Sequence, residues 1–223
     1  MTEKLCITAI TKLILGVILV GILIFLPAGT VCFLNGWILM AILFVPMFLG
    51  GVIMMFTNPG LLRRRLNAKE KHKEQELVVK LSALMFILGF VVAGLDFRFM
   101  WSALPKSATV VFSIIFLLGY LLYAEVIREN VYLSRTIQVQ DNQKVIDTGL
   151  YGVVRHPMYT ATILLFLSMP LILGSVWSFL IFLVYPFIIA KRIKHEEAFL
   201  EKELCGYKEY KQKVKYRLLP FVW

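Results

Sequence analysis

Six stretches of the chain are apolar along nearly their whole length, at about 10–30, 36–57, 77–95, 107–127, 157–173 and 176–191. A helix of roughly 20 apolar residues crosses the ~30 Å hydrocarbon core of a bilayer, and isolated strands cannot satisfy their backbone there. The pattern therefore predicts an all-α fold: a polytopic membrane bundle of about six transmembrane helices. The fifth and sixth runs are short and are punctuated by Pro170 and Gly174. They are expected to form a helical hairpin with its tip near the far surface. The first run carries Gly16 and Gly21 without an Ala-x-Ala cleavage pattern, so it is expected to stay in place as a helix.

Composition agrees with this pattern. Of 223 residues, 59% are apolar and 17% charged, with a mean hydropathy of +0.78. That leaves too little polar sequence for a separate soluble domain, so one membrane-embedded domain, 1–223, is expected. The net charge of +10 would suggest a nucleic-acid partner in a soluble chain. Position decides otherwise. With six crossings, 22 of the 24 Lys and Arg fall on one side and only Arg98 and Lys106 on the other. The positive-inside rule then puts both termini and the two long polar connections in the cytoplasm, with no nucleic acid involved. The Arg63-Arg64-Arg65 run reads as an orientation signal and a contact for anionic lipid headgroups.

Little metal or redox chemistry is indicated. Cys6, Cys32 and Cys205 are far apart, and His72, His156 and His195 are too dispersed for a metal site. There is no Walker loop and no dinucleotide-binding glycine pattern on a strand.

Two polar clusters flank the hairpin. The first is Gly149-Leu150-Tyr151-Gly152-Val153-Val154-Arg155-His156-Pro157-Met158-Tyr159, where a polar loop enters the fifth run. Pro157 suits a first helical turn, and the free N–H groups of that turn together with Arg155 make an anion site at the membrane surface. The plain alternative is that Arg155 and His156 are interfacial anchors. The second cluster is Arg192, His195, Glu196 and Glu197, where the sixth run leaves the bilayer. Arg192 and Glu196 are four apart on one helical face, while Glu197 is turned from Glu196 by about 100°. One acid can pair with Arg192 while the other looks elsewhere; a solvated helix end with an ordinary ion pair is the plain alternative. Because the clusters begin and end the same hairpin, they are expected to meet. In the tail, Tyr207, Tyr210 and Val214 fall at i, i+3 and i+7, a face that can lie on the bilayer or over a cofactor.

At these residues the chain resembles the isoprenylcysteine carboxyl methyltransferase family, within the wider group of small integral-membrane methyltransferases that includes phospholipid N-methyltransferases. The match runs from Glu129-Asn130 through Gln143, Val145, Gly149, Tyr151, Arg155-His156-Pro157 and Tyr159. It resumes at Arg192, Glu196-Glu197, Leu200, Gly206-Tyr207, Tyr210, Val214 and Arg217 to Pro220. Leu150 stands where many members have Pro. Membrane sterol reductases resemble the same Arg-His-Pro and Gly-Tyr elements but usually lack the Glu pair, which favours a methyl donor over a nicotinamide.

The apolar runs place four transmembrane helices in 1–127, and the resemblance, confined to the C-terminal part, implies that 128–223 is a cofactor-binding loop followed by the helical hairpin and amphipathic tail. It implies S-adenosylmethionine as cofactor, with Gln143, Val145, Gly149 and Tyr151 lining its site. His156 and Pro157 would help hold its amino-acid end, Glu197 or the tail tyrosines Tyr207 and Tyr210 would close the pocket, and Arg155 and Tyr159 would belong to the same cofactor site. Arg192 and Glu196 are implied as the catalytic pair. The acceptor would be a lipid or prenylated group entering from the bilayer. Carboxyl O-methylation of an isoprenylcysteine is the leading expectation and phospholipid N-methylation the alternative. A reductase using a reduced nicotinamide and a transport protein remain as other classes; few ionisable groups within the first four runs mark a transport path.

Overall fold

The computed structural model describes residues 2–67, 73–134 and 136–223. Lys69, Lys71, His72 and Arg135, which entered the charge and metal readings above, lie outside them. The described residues are helical or irregular and contain no strand. The helices are α1 (Thr2–Ala28), α2 (Leu34–Thr57), α3 (Pro59–Leu66), α4 (Lys73–Phe99), α5 (Lys106–Glu129), α6 (Pro157–Ile172), α7 (Val176–Phe182), α8 (Tyr185–Glu203) and α9 (Tyr207–Lys213). A 3₁₀ turn, Gly149–Gly152, precedes α6.

Five helical spans are long and apolar enough to cross a membrane: Glu3–Ala28, Leu34–Thr57, Gln75–Phe99, Lys106–Glu129 and Val176–Glu203, the last comprising α7 and α8. The sixth apolar run is α6, with 16 residues, or about 24 Å at 1.5 Å per residue. Despite that length its far end reaches the opposite loops. Ser175 donates a hydrogen bond to Asp96 near the end of α4. Thr109 Oγ1 at the start of α5 is 3.3 Å from the carbonyl of Ile172 and 3.1 Å from Asn35 Nδ2 at the start of α2. The hairpin tip thus lies at the end opposite the long polar connections, as the run pattern predicts.

Several helices extend beyond their apolar runs. α1 begins at Thr2 and α8 continues to Glu203, because polar residues of good helix propensity prolong a helix once the apolar part has nucleated it. The extension of α8 carries Arg192, Glu196 and Glu197 away from the bilayer level on a rigid support.

One core joins α1, α2, α4, α5, α6, α7 and α8 through Ile24, Leu39, Phe90, Phe116, Met169, Phe182 and Ile193. Without a hydrophobic force between lipid-solvated helices, close approach and packing hold such a bundle. Gly94 shows this: a Cβ there would lie 2.5 Å from the carbonyl oxygen of Ile24. Elsewhere α1, α2 and α5 expose rows of Leu, Ile, Val and Phe, the surface a bilayer covers.

Candidate active site

The long connection 130–156 and the tail after α8 fold against the ends of α6 and α8, and a partly open cavity of ≈ 800 Å³, its mouth included, lies between them. The walls come from the connection, the first turn of α6, the outer turns of α8 and the aromatic face of α9.

The two polar clusters meet. Glu197, 2% exposed, accepts hydrogen bonds from Arg155 Nε at 2.7 Å and Arg217 Nε at 2.9 Å, and its Oε1 is 3.2 Å from His156 Nε2. Arg155 Nη1 also donates to the carbonyls of Val214 and Lys215, at 2.6 and 2.8 Å. The backbone N–H groups of Arg155 and His156 donate to the carbonyls of Tyr216 and Arg217, each at 2.9 Å. An anion does occupy the entry to α6, as the sequence suggests, but it is the chain's own Glu197. Arg155 and His156 are neither plain interfacial anchors nor free ligand donors at these atoms; they fasten α8 and the tail to the hairpin.

Glu196, one position earlier, faces the cavity. It accepts a 2.5 Å hydrogen bond from the Tyr159 hydroxyl, which itself accepts one of 2.9 Å from Arg192 Nε. The 100° between consecutive helical residues thus divides the acid pair between a buried clamp and the cavity wall. Arg192 lies behind Tyr159, 8% exposed, and does not line the cavity.

Of the residues expected at a cofactor, Gln143, Val145, Tyr151, Arg155, His156, Tyr159, Tyr207 and Tyr210 line the cavity, as does Glu196. Gly149, Pro157 and Glu197 do not, though each shapes it. Gly149 has φ +49°, and a Cβ there would fall on the carboxylate of Glu129. That carboxylate accepts the N–H of Leu150 at 2.9 Å, so the glycine admits Glu129 and not a ligand. Pro157 opens α6.

The tail tyrosines pack over the connection: Tyr207, Tyr210, Leu204 and Val214 form a cluster with Val139, Val145 and Leu200. Tyr210 donates to the carbonyl of Tyr151 at 2.8 Å, and Tyr151 Oη accepts from Asn130 Nδ2 at 3.0 Å. Burial, aided by nearby carboxylate charge, pushes the Tyr207 and Tyr210 phenols above their ordinary range, so both stay protonated and able to donate. Tyr207 is 3% exposed, yet its hydroxyl has no hydrogen-bond partner among the described residues. A buried hydroxyl without a partner is unfavourable by about 1–3 kcal/mol, so this one is suited to a ligand in the cavity.

The sequence did not single out Tyr132, Ser134, Thr136 and Gln138, which also line the cavity. Residues 131–134 and 136–148 are irregular and have no periodicity that would mark a shared face. Their polarity was the only signal.

A family model described as phospholipid methyltransferase matches residues 107–205, from the start of α5 to the turn before α9. It covers just under half of the chain and contains the α6 entry, Arg192 and the Glu pair. It names a family within the same wider group of membrane methyltransferases that the sequence resembles. No curated protein matches the chain.

Proposed function

We propose that this protein is an S-adenosylmethionine-dependent methyltransferase acting on a membrane lipid, with its cavity on the cytoplasmic face. The observation that carries this reading is the position of Glu196 on the wall of a cavity that Tyr207 also lines, the Tyr207 hydroxyl having no hydrogen-bond partner among the described residues. The family match over 107–205 supports the reaction class. The clustering of basic residues at the cavity end supports the orientation.

The lining suits the cofactor. Tyr151, Tyr207 and Tyr210 offer aromatic surface to a purine, while Ser134, Thr136, Gln138 and Gln143 offer polar groups for hydroxyls and an amino-acid end. S-adenosylmethionine, when bound, supplies a methyl group on a sulfonium and departs as a neutral thioether. The protein's part is therefore alignment and exclusion of water more than bond-breaking. Glu197 holds Arg155 and His156 against α8 and the tail, which keeps the wall rigid. Tyr159 and Arg192 hold Glu196 in one orientation.

A phospholipid amine is the acceptor this wall favours. An ammonium must lose a proton before it can attack, and Glu196 is placed to take it. An isoprenylcysteine carboxylate would instead face the negative charge of Glu196, with Arg192 lying behind Tyr159. The test is mass spectrometry of lipid extracts and prenyl-peptides after incubation of the protein in vesicles with isotopically labelled S-adenosylmethionine. Label in phospholipid headgroups is the expected result. Label in prenyl-peptide carboxyl groups moves the acceptor to the carboxylate class, and label in neither overturns the activity.

A further inference from the structure

The basic run that reads as an orientation signal is part of the cavity's surroundings. Asn58 caps α3 by accepting the N–H of Leu61 at 3.0 Å, and Pro59 occupies its first turn. Leu61 and Leu62 are 3% and 4% exposed. Leu61 packs in one cluster with Val126, Leu133 and Tyr151, with Met158 against it. Leu133, Tyr151 and Met158 are also cavity walls, so α3 and the cavity share a single layer of side chains.

Arg65 is four residues after Leu61 and therefore projects over the same face. Its Nη1 is 3.7 Å from Met158 Sδ, and its Cζ lies 5.2 Å from the centre of the Tyr123 ring. Arg64 ties the helix down by donating to the carbonyl of Val131 at 2.7 Å, next to the cavity residues Asn130 and Tyr132. Arg63 is exposed. Three consecutive cations thus have three environments: solvent, the connection, and the outer side of Met158 in the layer of side chains that walls the site.

α3 follows the apolar α2 after a single residue, Asn58, which puts it at the level where lipid headgroups begin. A lipid whose amine reaches Glu196 while its tails remain in the bilayer must carry its phosphodiester at that level. Through successive methylations the amine changes and the phosphodiester does not, so a cation on the phosphodiester holds every acceptor equally. Building on the methyltransferase reading, we propose that Arg65 is the specificity-determining residue that grips the phosphodiester of the acceptor lipid at the cavity rim. Its contribution is uniform binding, present in ground and transition states alike, so it sets KM and not kcat.

The test uses the full chain in neutral maltoside micelles with phosphatidylethanolamine at graded mole fraction. Arg65→Met is expected to raise the acceptor KM roughly tenfold or more, the scale of one lost charge-assisted hydrogen bond. kcat and the dissociation constant for S-adenosylmethionine should stay within about twofold on the same ground. Arg65→Lys should recover part of the KM, and Arg63→Met, with the same loss of charge on the exposed side, should leave it unchanged. Equal KM increases in the Arg63 and Arg65 variants would mean general attraction to an anionic surface and overturn the proposal; so would an unchanged KM in Arg65→Met. A prenylcysteine substrate, which lacks phosphate, should be indifferent to Arg65→Met, and sensitivity there also overturns it. Retention of phosphatidylethanolamine by wild type and Arg65→Met, read by native mass spectrometry, needs no turnover. If the wild type binds no S-adenosylmethionine but loses the lipid on Arg65→Met, the methyltransferase reading fails while the headgroup site stands.

Discussion

Two carboxylates are buried at opposite ends of this bundle, each 2% exposed, and their surroundings differ in kind. Asp96 accepts hydrogen bonds from the N–H and hydroxyl of Ser102, at 2.7 and 2.6 Å, and from the Ser175 hydroxyl. Ser175 Oγ in turn accepts from Ser178 N–H at 3.0 Å, and Val176 N–H donates to Ser102 Oγ at 3.0 Å. Those donors are neutral, and they lock the hairpin tip to the end of α4. Glu197 pairs with the guanidiniums of Arg155 and Arg217 and lies against His156, groups drawn from the α6 entry and the tail, and beside it lies a cavity lined by Tyr207, whose hydroxyl has no partner among the described residues. A closed hydrogen-bond network stabilises a turn. A network that anchors charged groups around an open space, with one donor left over, supports a site.

Variants should separate the two ends. The largest effect is expected at the cavity itself: Glu196→Gln removes the proton acceptor and should lower kcat on the order of a hundredfold, with the cofactor dissociation constant nearly unchanged. Arg192→Ala should also act on turnover, through Tyr159, and Arg192→Lys should not restore it fully because an ammonium cannot reproduce the planar guanidinium contact. Pre-steady-state turnover beside calorimetric titration distinguishes these outcomes; a loss of cofactor binding in Glu196→Gln would merge Glu196 with the clamp.

Next is Glu197→Ala, which strands buried cations and should destabilise the fold by about 3–5 kcal/mol. Titration well below the unfolding temperature should still show cofactor binding weakened by roughly tenfold or more, as for a lost charged partner, because Arg155 and His156 lose their anchor. Unchanged affinity in the folded variant would reduce the clamp to a structural role.

Tyr207→Phe is expected to weaken cofactor binding about two- to tenfold, the value of one hydrogen bond. Removing a hydroxyl that has no partner among the described residues should leave thermal stability unchanged or slightly raised; a marked loss of stability would show that the hydroxyl already has a partner. The smallest effect on the site belongs to Asp96→Asn. It should cost about 1–3 kcal/mol of stability, a few degrees to roughly ten in apparent Tm, with cofactor affinity intact. Impaired binding there would couple the two ends.

The same comparison shows what the sequence could disclose. The meeting of the Arg155-His156 and Glu196-Glu197 clusters follows from topology, since both ends of a hairpin return to one surface. Division of the two acids between clamp and cavity follows from 100° per residue. The role of α3 was not legible, because Arg63-Arg64-Arg65 satisfies the positive-inside pattern whether or not Leu61 packs on Tyr151. Gly149 reads as a position of close ligand approach, and only the fold shows Glu129 filling that space. Ser134, Thr136 and Gln138 become a wall only when the tail folds over them. The donors around Asp96 are separated in sequence by as many as 79 positions, and no pattern links them.

The central claim is that the cavity under α9 binds S-adenosylmethionine. Calorimetric titration of S-adenosylmethionine into the purified full chain, with S-adenosylhomocysteine and a reduced nicotinamide dinucleotide as competitors, tests it most directly. Saturable binding displaced by S-adenosylhomocysteine, indifferent to the dinucleotide and weakened in Tyr207→Phe is the predicted result. Absence of binding, or displacement by the dinucleotide, would contradict it.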